Sequence, residues 1–399
     1  MYKREKGAKI MKQIIIDAMN ENEAKFKNIS IYIGDNPELG HEEFKACKIL
    51  TDTLREHDFH VEIGICDLPT AFKATYDSGK EGPTIGYMAE YDALPELGHA
   101  CGHNLIAVMG IAAGIGLSKV LEETGGKVIV YGTPAEETKG GKVTMAEAGI
   151  FEELDVAMMV HPLDNYMKSG DSLAMDAIQF EFFGKSAHAA ASPHLGINAL
   201  DAVLHTFNSI NALRQHIKPD ARIHGVITEG GKAANIVPDY AVAQFYVRAG
   251  KREDVNILVE KVKKCAEGAA LQTGATVKSS FYEFSYDDMI TNKTLSDVFT
   301  KQLVSLGVEE IEIHEQRDGS GSLDMGNVSQ VVPAIHPYVK ICNESYACHT
   351  HEFREAAMSE QGRDAMLLGA KSMALTGLEI LTNKELLATI KKEFAKNKQ

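Results

Sequence analysis

Between residues 70 and 160 this chain alternates short, mostly apolar runs with longer segments of helical period, and that alternation narrows the fold more than any other feature. The runs at 70–76, Thr84–Ala89, 127–131 and 156–160 carry apolar residues consecutively rather than at every second position. Strands covered on both faces read this way, as in parallel sheets packed between helices. The segments 12–33, 42–57, 105–123 and 141–148 place their apolar residues at helical spacing. Together they predict an α/β domain with a mainly parallel sheet flanked by helices.

From about Ala174 the pattern changes. Residues 176–183 alternate like a half-exposed strand, 198–216 read as an amphipathic helix, and 222–228 and 240–248 read as two strands joined around Gly230-Gly231. A helix over 253–273 and a strand over 276–286 follow, giving the β-α-β-β-α-β order of a ferredoxin-like α+β unit. Helical character resumes at 292–306. The expected organisation is a discontinuous domain, 1–173 with 291–399, interrupted by a smaller inserted domain at 174–290.

Three polar clusters each follow a predicted strand of the larger domain. They are Cys101-x-His103, the run Pro134-Ala135-Glu136-Glu137, and His161-Pro162. Sites in open α/β sheets form outside the carboxyl ends of strands, so these clusters are expected to converge. Cysteine, histidine and glutamate together describe a transition-metal site suited to zinc or manganese. In the Glu-Glu pair, one carboxylate can ligate while its neighbour takes a proton from metal-bound water. A further ligand is expected from Cys348-His349-Thr350-His351, where spacing leaves His349 and His351 both open.

Composition sets the outer bounds. With 41 basic and 56 acidic residues the formal charge is -15, a balance that repels phosphate backbones and argues against a nucleic-acid partner. Six scattered cysteines lack the density of a disulfide scaffold. The basic start is followed by too short an apolar run for a signal peptide, and 105–117 is about half of a membrane span. The reading is cytoplasmic, with no membrane partner.

These motifs resemble the group of dinuclear metallopeptidases that includes aminoacylases, indole-acetyl-amino-acid hydrolases and p-aminobenzoyl-glutamate hydrolases. The resemblance runs in order through residues 88–95, Gly98 to Asn104, 132–137, Gly184-Lys185-Ser186-Ala187-His188-Ala189-Ala190, Asn235-Ile236-Val237-Pro238-Asp239 and His349 to Phe353. Asn104 and Glu90 stand where other branches carry aspartate or histidine, which favours the p-aminobenzoyl-glutamate-like subgroup.

The resemblance implies two divalent metal ions, Zn or Mn, bridged by Cys101. His103 and His161 complete one metal, Glu137 and His349 the other, with His349 preferred because the family ligand lies four residues before the phenylalanine, here Phe353. Glu136 is the implied general base acting on metal-bridged water, and Asp92 a carboxylate that orients a ligand. The inserted domain is the implied lid and dimerisation domain. In it His188 steadies the oxyanion, reaching the active site of a neighbouring subunit in a homodimer or larger homo-oligomer, while Asn235 and Arg248 hold substrate. The implied activity is hydrolysis of the amide bond of N-acyl amino acids, p-aminobenzoyl-glutamate-like or dipeptide-like substrates with a free carboxylate. Two other readings of the same residues are a cysteine-nucleophile amidase using Cys101 and a non-catalytic metal-binding scaffold.

Overall fold

The computed structural model describes residues 2–315 and 321–398. The chain divides into two compact units. The first takes in the described residues up to Asp171, those from Met289 to 315, and those from Asp324 onward; the second is Ser172–Asp288 with a short return segment ending at Leu323.

The first unit is built on a six-stranded sheet. Its strands β1 (His60–Ile63), β2 (Phe72–Asp77), β3 (Thr84–Ala89), β4 (Lys127–Gly132) and β5 (Val156–Met158) lie in the order β1-β2-β4-β3-β5, and Ala334–Ile335 closes the far edge. The β4–β3, β3–β5 and last pairings are parallel, and the β1–β2 and β2–β4 pairings are antiparallel. β3 and β4 are buried along all but their first residue, which accounts for their unbroken apolar sequence.

Helix His103–Ser118 is buried at every position, so it carries no polar stripe and behaves as a core helix. Helix Glu360–Thr382 packs against it. This second helix is long and apolar enough to cross a membrane, but 78% of its apolar stretch is buried inside the unit. The packing of a core explains its composition.

Several element boundaries differ from the sequence reading. The segment 12–33 is two helices, Tyr2–Glu21 and Glu23–Asp35. The helix expected to reach residue 123 stops at Ser118, and Leu121–Thr124 forms a separate turn of helix. The strand expected over 156–160 leaves the sheet after Met158. His161–Leu163 begins a different small sheet, paired parallel with Tyr338–Lys340. A run of apolar residues marks burial, not which sheet a residue joins.

The second unit is a four-stranded antiparallel sheet, in spatial order Thr276–Phe281, Ala174–Phe183, Tyr240–Ala249, Arg222–Glu229. Helices Ala199–Leu213 and Arg252–Thr273 pack on the sheet. Their core joins Ile178, Phe180 and Phe182 to Val203, Ile210, Phe245, Val259 and Val262. This is the ferredoxin-like arrangement that the element order implied. The strand expected to continue to residue 286 ends at Phe281, with Tyr286 returning to Met175 through an isolated bridge.

Candidate metal centre

Each polar cluster is placed by a local backbone device. Cys101 and His103 flank Gly102, whose φ of 80° turns the chain into the core helix. A Cβ on Gly102 would stand 2.4 Å from Pro162 Cγ, so glycine is needed both for the turn and for the approach of the His161-Pro162 segment. Glu136 and Glu137 follow Ala135, itself left-handed at φ 63°. The Ala135 N–H donates to the buried carboxylate of Glu43 at 2.9 Å. His349 has φ 66°, and its N–H donates to the Ala100 carbonyl at 2.9 Å, which seats it beside Cys101. Left-handed non-glycine residues cost free energy and persist only where surrounding contacts enforce them.

The result is a set of interlocking donor groups. The ligand atoms of Cys101, His103 and His161 lie within 4.8 Å of one another, as do those of Cys101, Glu137 and His349. These two triads share Cys101. A third grouping joins His103 with Glu136 and Glu137.

Asp92 braces the arrangement from beneath. Its Oδ1 accepts from His103 Nδ1 at 2.9 Å and its Oδ2 from the Glu137 backbone N–H at 3.0 Å. One buried carboxylate therefore orients groups delivered after two different strands. His103 Nε2 is left facing the cluster, buried and without a hydrogen-bond partner among the described residues. His161 donates from Nδ1 to the Pro162 carbonyl at 2.7 Å, leaving Nε2 3.4 Å from Cys101 Sγ.

The electrostatics are those of crowded anions in a dry site. Burial, then the neighbouring charge of His103, pushes His161 down to about 4, so it stands as the neutral imidazole that ligates metals. Burial, then Glu137, Glu90 and Asp324, pushes Glu136 well above the usual carboxylate range. For His103, burial is outweighed by Asp92, Glu90 and Glu137, which raise it well above an ordinary histidine. Protons are thus held where a divalent cation would serve the same charges better. The orphaned His103 nitrogen and the thiolate, imidazole and carboxylate donors fit such a cation.

Cys101 fits poorly as a free nucleophile. A hydrogen bond with Cys348, then burial, raises its thiol well above the normal value, the reverse of an activated cysteine.

Three of the expected site residues belong to the second unit. His188 is exposed, its Nδ1 accepting from the N–H groups of Ala190 and Ala191 at 3.2 and 3.1 Å. It bridges to Ile236, while the Asn235 carbonyl accepts from the Ala189 N–H at 3.0 Å, so His188 and Asn235 share one loop pair. Arg248 lies 5.3 Å over the Tyr246 ring, donates to Ser322 at 3.3 Å, and keeps a buried Nε without a hydrogen-bond partner among the described residues.

Several neighbours of the centre are not legible in the sequence. Lys142, Asp324 and His336 are buried beside it, and Tyr338 packs its ring against His161 and His336. Lys142 and Asp324 are 182 residues apart and meet only through the fold, so no spacing could have linked them.

Known proteins resemble this chain in sequence along most of its length. The peptidase dimerisation domain matches residues 175–274. Over 398 residues the chain is 39% identical to the Xaa-Arg dipeptidase of Mus musculus, covering 96% of this chain and 92% of that protein. The chain belongs to the M20 peptidase family. A second M20 relative, a p-aminobenzoyl-glutamate hydrolase component of Escherichia coli, is 36% identical over 319 residues, 75% of this chain and 66% of that one. The fold is shared with a dinuclear metal binding peptidase of the M20 family from Bacillus subtilis, at a TM-score of 0.67 and 21% identity over 90% of this chain and 99% of that one. As an M20 member the chain is a hydrolytic enzyme of amide or peptide bonds.

Proposed function

We propose that this M20 enzyme hydrolyses dipeptides and related N-acyl amino acids with a free carboxylate at a centre of two divalent metal ions, zinc or manganese. The observation that carries the reading is the pair of ligand triads sharing Cys101. His103 and His161 would hold one ion and Glu137 and His349 the other, with the Cys101 thiolate common to both triads. When bound, the ions supply Lewis acidity that polarises the scissile carbonyl and makes water a better nucleophile.

The chain's own residues do the rest. Asp92 fixes the His103 tautomer so that Nε2 faces the centre, and the Pro162 carbonyl does the same for His161. The Glu136 carboxylate, next to the cluster, takes a proton from the attacking water and delivers it to the leaving amine nitrogen. To His188 we assign support of the oxyanion, and to Asn235 and Arg248 contacts with the substrate carbonyl and carboxylate, for which a guanidinium is the natural partner.

Similarity to Xaa-Arg dipeptidases of Mus musculus and Homo sapiens favours dipeptides with a basic C-terminal residue as substrates. The E. coli relative favours p-aminobenzoyl-glutamate as a second reading. Six free cysteines suit a reducing, cytoplasmic setting, and the dimerisation domain suits a homodimer. Measured kcat/KM for Xaa-Arg dipeptides, p-aminobenzoyl-glutamate and hippurate on metal-loaded enzyme ranks these readings. Comparable kcat/KM for Xaa-Arg and Xaa-Glu dipeptides would remove the basic-residue preference.

A further inference from the structure

Lys142 has no part in the chemistry above, yet its side chain is completely buried. Lysine is almost never found so unless paired, and here the pairing is double. Its ammonium meets Asp324 Oδ1 at 2.6 Å and Glu90 Oε1 in a close contact. Asp324 Oδ2 also accepts the Lys142 backbone N–H at 3.2 Å, so this carboxylate grips the lysine at both ends. Asp324 and Glu90 are themselves buried.

The second oxygen of Glu90 is what gives the chain of charges a purpose. Glu90 Oε2 lies 3.5 Å from His103 Nε2, the nitrogen at the centre that has no hydrogen bond among the described residues. Two ligands of one tetrahedral ion, each at about 2.1 Å, stand about 3.4 Å apart. At that distance Glu90 is within reach of an ion held by His103 while belonging to none of the ligand groupings, and a buried carboxylate without a cation would turn to the nearest metal. Lys142 already supplies it with one.

Building on the metal-centre reading, we propose that Lys142 is a positioning residue that withholds Glu90 from the metals, tying it back to Asp324 and fixing the ligand set at Cys101, His103, Glu137, His161 and His349. Without the lysine, Glu90 swings onto the ion beside His103 and raises its coordination number.

Cobalt(II) loading of the full-length protein reads this directly, because visible d–d absorption weakens several-fold when a four-coordinate ion gains ligands. Lys142→Met is expected to lose that intensity, and the double variant Lys142→Met with Glu90→Gln to regain the wild-type spectrum. Lys142→Arg, which keeps the cation, is expected to match wild type. Because Lys142→Met leaves two buried carboxylates unpaired and could fail to fold, Glu90→Gln alone provides an independent arm. The amide still accepts from Lys142, so the spectrum is expected to stay unchanged. A spectrum altered by Glu90→Gln would make Glu90 a ligand already and overturn the proposal. So would a folded Lys142→Met protein with the wild-type spectrum. Wild-type protein that takes up no cobalt overturns the metal reading itself, and this proposal with it.

Discussion

In the second unit the guanidinium of Arg252 meets Asp176 at 2.7 Å, Asp287 at 2.9 Å and the carbonyls of Met175 and Tyr286 at 2.8 and 2.6 Å. Beyond the ends of β3 and β4 in the first unit, by contrast, His103 Nε2 is buried with no hydrogen-bond partner among the described residues, and Glu136 and Glu137 crowd each other. Both regions bury charge, but only the one around Arg252 closes its own hydrogen bonding. A satisfied network holds a fold together, whereas an unsatisfied one in a well-packed core marks a place kept ready for a ligand. The difference separates the structural use of buried charge from the chemical use within one chain.

Substitutions should respond accordingly. Replacing Glu136 with Gln should lower kcat by about a hundred- to ten-thousand-fold, with metal content and Tm close to wild type. Loss of fold instead of activity would put Glu136 on the structural side of the comparison. Replacing Arg252 with Met leaves Asp176 buried and uncompensated, and should cost about 3 kcal/mol in urea unfolding. Bound metal per folded chain should not change.

Glu43 sits between the two cases, satisfied by Thr70 Oγ1 at 2.7 Å and the Ala135 N–H at 2.9 Å yet pushed up to about 7, chiefly by burial. A raised carboxyl pKa means the folded state holds the proton more tightly than the unfolded chain. Its contribution is complete below the ordinary value of 4.5 and is lost as pH rises to about 7. Glu43→Gln titrates no proton there, so its stability relative to wild type should climb by about 3 kcal/mol across that window and then level off. A pH-independent difference would show that Glu43 stays ionised in the fold. The smallest effect is expected from Asp92→Asn, a loss of about 10- to 100-fold in metal affinity by competitive titration. Unchanged affinity would mean that Asp92 does not set the His103 tautomer.

The two regions also differ in how plainly the sequence announces them. Alternation in 176–183 and 240–248 leads straight to paired strands, because one face of that sheet packs on helices and local period is enough. Convergence of Cys101, Glu137 and His161 can be read from strand ends, since α/β topology fixes where those ends point. The choice of His349 over His351 comes from resemblance. In the fold, His349 shares a triad with Cys101, while His351 begins the helix His351–Ala357. Lys142 and Asp324 are silent in the sequence because their meaning depends on partners distant along the chain. The switch of His161 into a second sheet is silent too, since burial on either sheet calls for the same apolar residues.

We infer a dependence of hydrolysis on a metal centre in which Cys101 would be the shared ligand. Its most direct test is to follow peptide hydrolysis and bound metal together while a chelator strips the protein and divalent ions are returned. Activity should disappear as metal is removed and come back with zinc or manganese to about two ions per chain. Full activity in metal-free protein would contradict it.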